Sequence, residues 1–223
     1  MSQLKLAIFD VDGTLADSQG EIMAAMARAF ESQGLTPPAR DDILSIVGLS
    51  LEQAMPRLLP NGDARQHAAL ADAYRQAYFE LRQSNGVSPL YPGALACLQT
   101  LSRDPWTLLG IATGKSKRGL DALLAGHGIE PLFVTRQVAD FHPSKPDPSM
   151  IRACLDETGV AAEHAVMIGD TSFDMDMARN AGVAGIGVSW GYHPRSAFGQ
   201  GARLVESFDA LCGALTDIWG TKT

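Results

Sequence analysis

Short apolar runs that each stop at a turn constrain the fold of this chain more than any other feature. Residues 4–9 form one such run and end at Asp10-Val11-Asp12-Gly13-Thr14, which predicts a buried strand closed by a turn. Residues 106–112, 165–168 and 185–188 predict three more strands, with weaker signals at 133–135 and 204–205. Helical patterns separate them at 93–101, 116–125, 148–157, 173–180 and 207–215. Strands alternating with helices predict an α/β fold whose parallel sheet is covered on both faces. Asp147 followed by Pro148 predicts a helix start, with an N-cap carboxylate and proline at the first position.

Residues 16–90 read differently and carry no strand pattern. Ile22, Met26, Ala29 and Phe30 recur at helical spacing, and Gly34 can end that helix. Pro37-Pro38 is a break, after which Asp41 or Asp42 can cap a short helix at 43–47. Ser50-Leu51-Glu52-Gln53 is a capping-box pattern, and Pro56 is expected to kink or shorten the helix it opens. Asn61-Gly62 marks a turn, and Leu70, Tyr74, Tyr78 and Leu81 share one face of a long helix ending near Asn85-Gly86. The aromatic and methionine stripe reads as packing. Arg28, Arg40, Arg57, Arg65, Arg75 and Arg82 read as solvated helix surface, from which one can reach an anionic substrate group. The division is a core at 1–15 and 91–223 with a helical unit at 16–90. The 223-residue length agrees, being about one and a half domains.

The net charge of −7 disfavours nucleic acid, whose phosphate backbone needs a basic surface. No polybasic segment, spanning-length apolar run or leader pattern at the N-terminus suggests a membrane. Cys97, Cys154 and Cys212 are odd in number and far apart in sequence, so buried reduced thiols are expected. These features predict a cytoplasmic protein, monomeric or homodimeric.

Four segments fall at the predicted C-terminal ends of strands, where open parallel sheets place their ligands. In Asp10-Val11-Asp12 two carboxylates share one turn, and like charges that close stay ionised only beside a cation. Gly110-Ile111-Ala112-Thr113-Gly114-Lys115-Ser116 has three residues between its glycines, where a nucleotide P-loop needs four. Its Thr-Gly end still offers a hydroxyl and backbone N–H groups to a phosphate. In Ser144-Lys145-Pro146-Asp147-Pro148 two prolines pin one of only five lysines at a loop-to-helix junction. Ile168-Gly169-Asp170-Thr171-Ser172-Phe173-Asp174 supplies two more carboxylates, and oxygen ligands without His or Cys suit Mg²⁺. His142 reads as incidental, and Trp190 and His193 lie in a glycine-rich loop that either borders the site or packs on the core.

These four segments, in this order, resemble the haloacid dehalogenase-like hydrolase superfamily, most closely its phosphoglycolate phosphatase-type subgroup. The resemblance implies a Rossmann-like core with an inserted, all-helical cap, and a Mg²⁺-dependent phosphatase acting on a small phosphorylated metabolite. It implies Asp10 as nucleophile and Asp12 as leaving-group acid. It implies Thr113, Gly114 and Lys145 as phosphate ligands, and Mg²⁺ between Asp10, the Asp12 carbonyl and Asp170. Asp174 would orient Lys145 or a metal-bound water. Asp12 is absent from the dehalogenase branch, so its presence favours phosphoryl chemistry. No lysine occurs between Gln19 and Leu90, which excludes the Schiff-base phosphonatase pattern. Thr14 stands where the sugar-phosphate mutases carry a bulkier residue, which favours hydrolysis. Sugar phosphates, nucleotides and pyrophosphate remain alternative substrates, and a phospho-acceptor module is the reading from another class.

Overall fold

The computed structural model describes residues 3–199 and 201–220; the first two residues of the leader reading and Lys222 lie outside them. Six parallel strands form one sheet: β1 (Lys5–Phe9), β2 (Thr107–Thr113), β3 (Thr135–Val138), β4 (Ala165–Gly169), β5 (Ala184–Val188) and β6 (Arg203–Val205), in the order β3-β2-β1-β4-β5-β6. The chain leaves β1 toward β2 on one side and later returns to β4 on the other. That reversal opens a crevice at the C-terminal ends of these strands. Phe9 pairs with Ile111 and with Ile168, so the residues just beyond them, Asp10, Thr113 and Asp170, reach one edge together.

Strand alternation builds two core layers. Ala7 and Phe9 face α5 (Ala94–Leu101), α6 (Lys117–His127) and α9 (Phe208–Gly220), where Leu98, Leu124 and Leu215 are fully buried. Leu6 and Ile8 face α7 (Ser149–Thr158) and α8 (Ser172–Ala181), against Met150, Ile151 and Met177. The sheet is therefore covered on both faces, as the apolar runs predict. Between β1 and α5 stand four helices: α1 (Gln19–Ser32), α2 (Arg40–Ser45), α3 (Leu51–Leu58) and α4 (Ala64–Asn85). They share a separate core of Ile22, Met26, Phe30, Ile43, Met55 and Leu70.

Several local expectations need correction. Ser50 does start α3, but its side chain makes no cap hydrogen bond, and its N–H is taken by Ser144 Oγ at 2.8 Å. The capping boxes that form are at Asp63/Gln66 and Thr171/Asp174 instead. Asp41 and Asp42 lie inside the first turn of α2, which Ala39 precedes as N-cap. Pro148 takes the N-cap place expected for Asp147, and Asp147 Oδ1 accepts from the Ser149 N–H two residues on. Pro56 sits within α3, which ends at Leu58. The third strand begins later than expected, because a 3₁₀ turn at Glu130–Leu132 leads into it. Cys97 and Cys212, far apart in sequence, meet with their sulfurs 2.8 Å apart where α5 packs on α9; all three cysteines are free. No helix among the described residues is long and apolar enough to cross a membrane.

Candidate active site

The floor of the crevice is built by local turn chemistry. Asp10 leaves β1 directly, and its backbone N–H donates to the Ile168 carbonyl at 2.9 Å, tying it to β4. Gly13 follows with φ +82°, a left-handed turn that favours glycine. A Cβ there would lie 2.2 Å from Asp170 Oδ2, so this turn approaches the second carboxylate as only glycine permits. Asp170 leaves β4 directly, and its oxygens accept from Thr14 Oγ1 (2.9 Å) and the Tyr192 N–H (2.8 Å). Asp174 is the third residue of the α8 capping box. Its Oδ2 accepts from the Thr171 N–H and hydroxyl, and its Oδ1 from Lys145 Nζ at 2.6 Å.

Asp10, Asp170 and Asp174 are all buried, with carboxylate oxygens within 4.8 Å of one another. Lys145, wholly buried, is ion-paired with two of them, lying 3.0 Å from Asp10 Oδ1 and 2.6 Å from Asp174 Oδ1. Three carboxylates gathered beside one ammonium repel one another, and burial adds to the cost of their charge. Burial pushes the Asp10 carboxyl up to about 6, with Lys145 opposing and Asp174 reinforcing the shift. Burial, then Asp10 and Asp174, push Asp170 well above the ordinary carboxylate range. Burial works against charge on Lys145, yet Asp10 and Asp174 raise its value further. Apart from the Lys145 ammonium beside Oδ1, the oxygens of buried Asp10 have no side-chain partner among the described residues. Under-coordinated carboxylate oxygens within a surplus of negative charge fit a hard divalent cation.

Above the floor lies a cavity of about 700 Å³ between the sheet edge and the helical bundle. Asp10, Asp12, Thr113 and Gly114 line its base, while Ile22, Met26, Leu51, Tyr74, Tyr78 and Arg75 belong to its opposite wall. The bundle seats closely on the core. A Cβ at Gly114 would lie 2.6 Å from the Gly48 carbonyl oxygen. His193 Nδ1 accepts from the Ser172 N–H at 3.2 Å, and its Nε2 lies 3.2 Å from the Ser45 carbonyl. The first bond assigns the neutral tautomer, so Nε2–H donates to the bundle; burial correspondingly lowers the His193 value.

The structure thus brings Asp10, Asp12, Thr113, Gly114, Lys145, Asp170 and Asp174 to one end of the sheet. The Asp12 carboxylate stands apart from the three-acid cluster: its Oδ1 accepts from Ser18 Oγ (2.6 Å) and Lys115 Nζ (2.7 Å). Thr113 Oγ1 accepts from the Lys115 N–H at 3.2 Å. Lys115 belongs to the site although the sequence flagged it only within a rejected P-loop pattern. His142 is not partnerless, since its ring nitrogens contact Ser149 Oγ and Gln137 Oε1. Trp190 packs on Phe208 and donates to the Thr14 carbonyl, which places it on the core. Tyr74 and Tyr78 line the cavity and do more than pack the bundle. Among the arginines of the helical bundle, Arg75 is held by Glu52 and Asp72, and both it and Arg82 line the cavity.

Carboxylates and a buried lysine gather at the switch point of a parallel sheet, beside a half-open cavity. The chain belongs to the haloacid dehalogenase-like hydrolase family, whose model it matches over residues 7–188. It is a phosphatase of that family. It is 34% identical over 217 residues to the "Probable phosphatase IndB" of Dickeya dadantii, spanning 94% of this chain and 92% of that protein. It is 30% identical over 190 residues to the phosphoglycolate phosphatase of Agrobacterium fabrum, spanning 84% and 81%. A solved hydrolase structure from Pseudomonas syringae superposes with a TM-score of 0.84 at 26% identity, covering 97% of this chain and 99% of that one.

Proposed function

We propose that the chain is a Mg²⁺-dependent phosphatase that hydrolyses a small phosphomonoester through an aspartyl-phosphate, with residues 16–90 acting as a cap over a core of 1–15 and 91–223. The observation that carries this reading is the buried Asp10–Asp170–Asp174 cluster, whose surplus negative charge is met by the single ammonium of Lys145 on Asp10 and Asp174. Asp10 is the nucleophile: its oxygen forms a bond to phosphorus as the ester oxygen departs. Asp12 gives that oxygen a proton, then takes one from the water that cleaves the acyl-phosphate. Thr113 and the Gly114 N–H bind the phosphoryl oxygens, and Lys145 balances their charge. Asp10, Asp170 and the Asp12 carbonyl would hold Mg²⁺, with Asp174 orienting Lys145. When bound, the ion neutralises the carboxylates and polarises the phosphoryl oxygens.

A phosphoglycolate-type substrate is favoured by the relatives of that name. The 700 Å³ cavity supports a second reading, since a pocket of this size accommodates a sugar- or nucleotide-sized alcohol. The deciding experiment is phosphate release with Mg²⁺ over phosphoglycolate, sugar phosphates, nucleotides and pyrophosphate. Turnover of at least one monoester, abolished by chelator, is expected. No release from any of them would overturn the proposal.

A further inference from the structure

Lys115 is the buried cation that the proposed chemistry leaves without a role. Its side chain is 8% exposed and that of Asp12 14%, so their ion pair lies largely out of water. Lys115 Nζ donates to Asp12 Oδ1 at 2.7 Å and to Tyr78 Oη at 3.0 Å. Tyr78 lies on α4 of the bundle, whereas Lys115 follows β2 of the sheet. Ser18 Oγ donates to the same Asp12 Oδ1 at 2.6 Å. Both donors therefore engage one oxygen of the carboxylate, leaving the other for exchange with a ligand. Asp12, Lys115 and Tyr78 all line the cavity.

We infer that Lys115 is a positioning residue for the leaving-group acid, anchoring Asp12 by Oδ1 so that Oδ2 carries the proton, and tying that orientation to the bundle through Tyr78. The role rests on the phosphatase reading above. Asp12, ionised in the resting ion pair, first takes a proton from solvent on the free Oδ2; in the first step that proton passes to the departing ester oxygen as Asp10 bonds to phosphorus and the ester P–O bond breaks. In the second, Oδ2 takes a proton from the attacking water, so the carboxyl ends as it began. Lys115 donates hydrogen bonds throughout and exchanges no proton. A carboxylate held at one oxygen by a charge-assisted bond has fewer orientations to lose on reaching the ester. Contact between α4 and Lys115 would also make the acid competent only when the bundle is seated.

The test separates positioning of an acid from binding of a phosphate. An alkyl phosphate needs a proton on its departing oxygen, whereas p-nitrophenolate leaves without one. Lys115→Met and the milder Tyr78→Phe are compared with wild type on both esters with Mg²⁺, with circular dichroism confirming the fold. Lys115→Met should lower kcat on the alkyl ester about 10²-fold, and at least about tenfold more than on the nitrophenyl ester. Tyr78→Phe should show the same bias at roughly a tenth of that size. Equal losses on both esters, or a loss confined to KM, would overturn the positioning role while leaving the phosphatase reading intact. Should Asp10→Asn keep turning over either ester, the reading of the site falls, and the role of Lys115 falls with it.

Discussion

The floor of the cavity and its helical wall treat charge in opposite ways. On the floor, Asp10 lines the cavity and Asp170, Asp174 and Lys145 are buried with it, bonded to one another, to neighbouring hydroxyls or to backbone. On the wall, Arg75 meets Glu52 and Asp72 with its side chain 46% exposed. Buried charges interact strongly and cannot be removed singly without leaving a partner stranded; exposed pairs are screened and nearly dispensable. The floor can therefore hold strained chemistry in place, while the wall can change its side chains to suit the alcohol half of a substrate. Between them stands the Asp12–Lys115–Tyr78 chain, which belongs to both.

The sharpest way to break this comparison is at Asp10, the proposed nucleophile. Asp10→Asn should lower phosphate release by about 10⁴-fold or more while keeping the fold, read by turnover and circular dichroism. Lys145→Met should destabilise the protein by about 3–5 kcal/mol in urea titration, because it strands two buried carboxylates. A change below about 1 kcal/mol would mean that the floor tolerates loss of its cation as an exposed surface does. The acid cluster also predicts a pH signature. Asp10 is raised from 3.8 to about 6, so its contribution to stability is full below the lower value and is lost as pH rises through the upper. With chelator, Tm should fall between about pH 4 and pH 6 and level off above, and added Mg²⁺ should raise it more at the higher pH. A Mg²⁺ shift independent of pH would detach the ion from Asp10. At the small end, Arg75→Ala should change stability by less than about 1 kcal/mol, since both of its pairs are exposed. Any larger loss would show that the wall shares the rigidity of the floor.

Much of the floor was legible in the chain because its signals are local. Asp10 and Asp170 each follow a buried strand directly, and a parallel sheet brings such strand ends together whatever the rest of the chain does. The helical character of 19–85 was legible for the same reason, through spacing and turn residues. Caps were less so: Ser50 carries the capping sequence, but the Ser144 hydroxyl claims its N–H from 94 residues away. Asp174 read as an acid one turn into a helix, and burial with Lys145 made it part of the floor. The wall was hardest, since Tyr74 and Tyr78 fit a packing stripe equally well until the bundle is placed against the sheet.

The sequence by itself determined the parallel α/β core, the helical insertion after its first strand, and the four turns that carry carboxylates, threonine and lysine. Each depends on periodicity or on residues within one turn of one another. Only the tertiary structure decided that Cys97 meets Cys212, that Lys145 meets Asp10 and Asp174, and that Lys115 joins Asp12 to Tyr78. Those pairings span separate elements, and the angle at which two packed layers meet is set by the whole interface, which no short stretch of chain encodes.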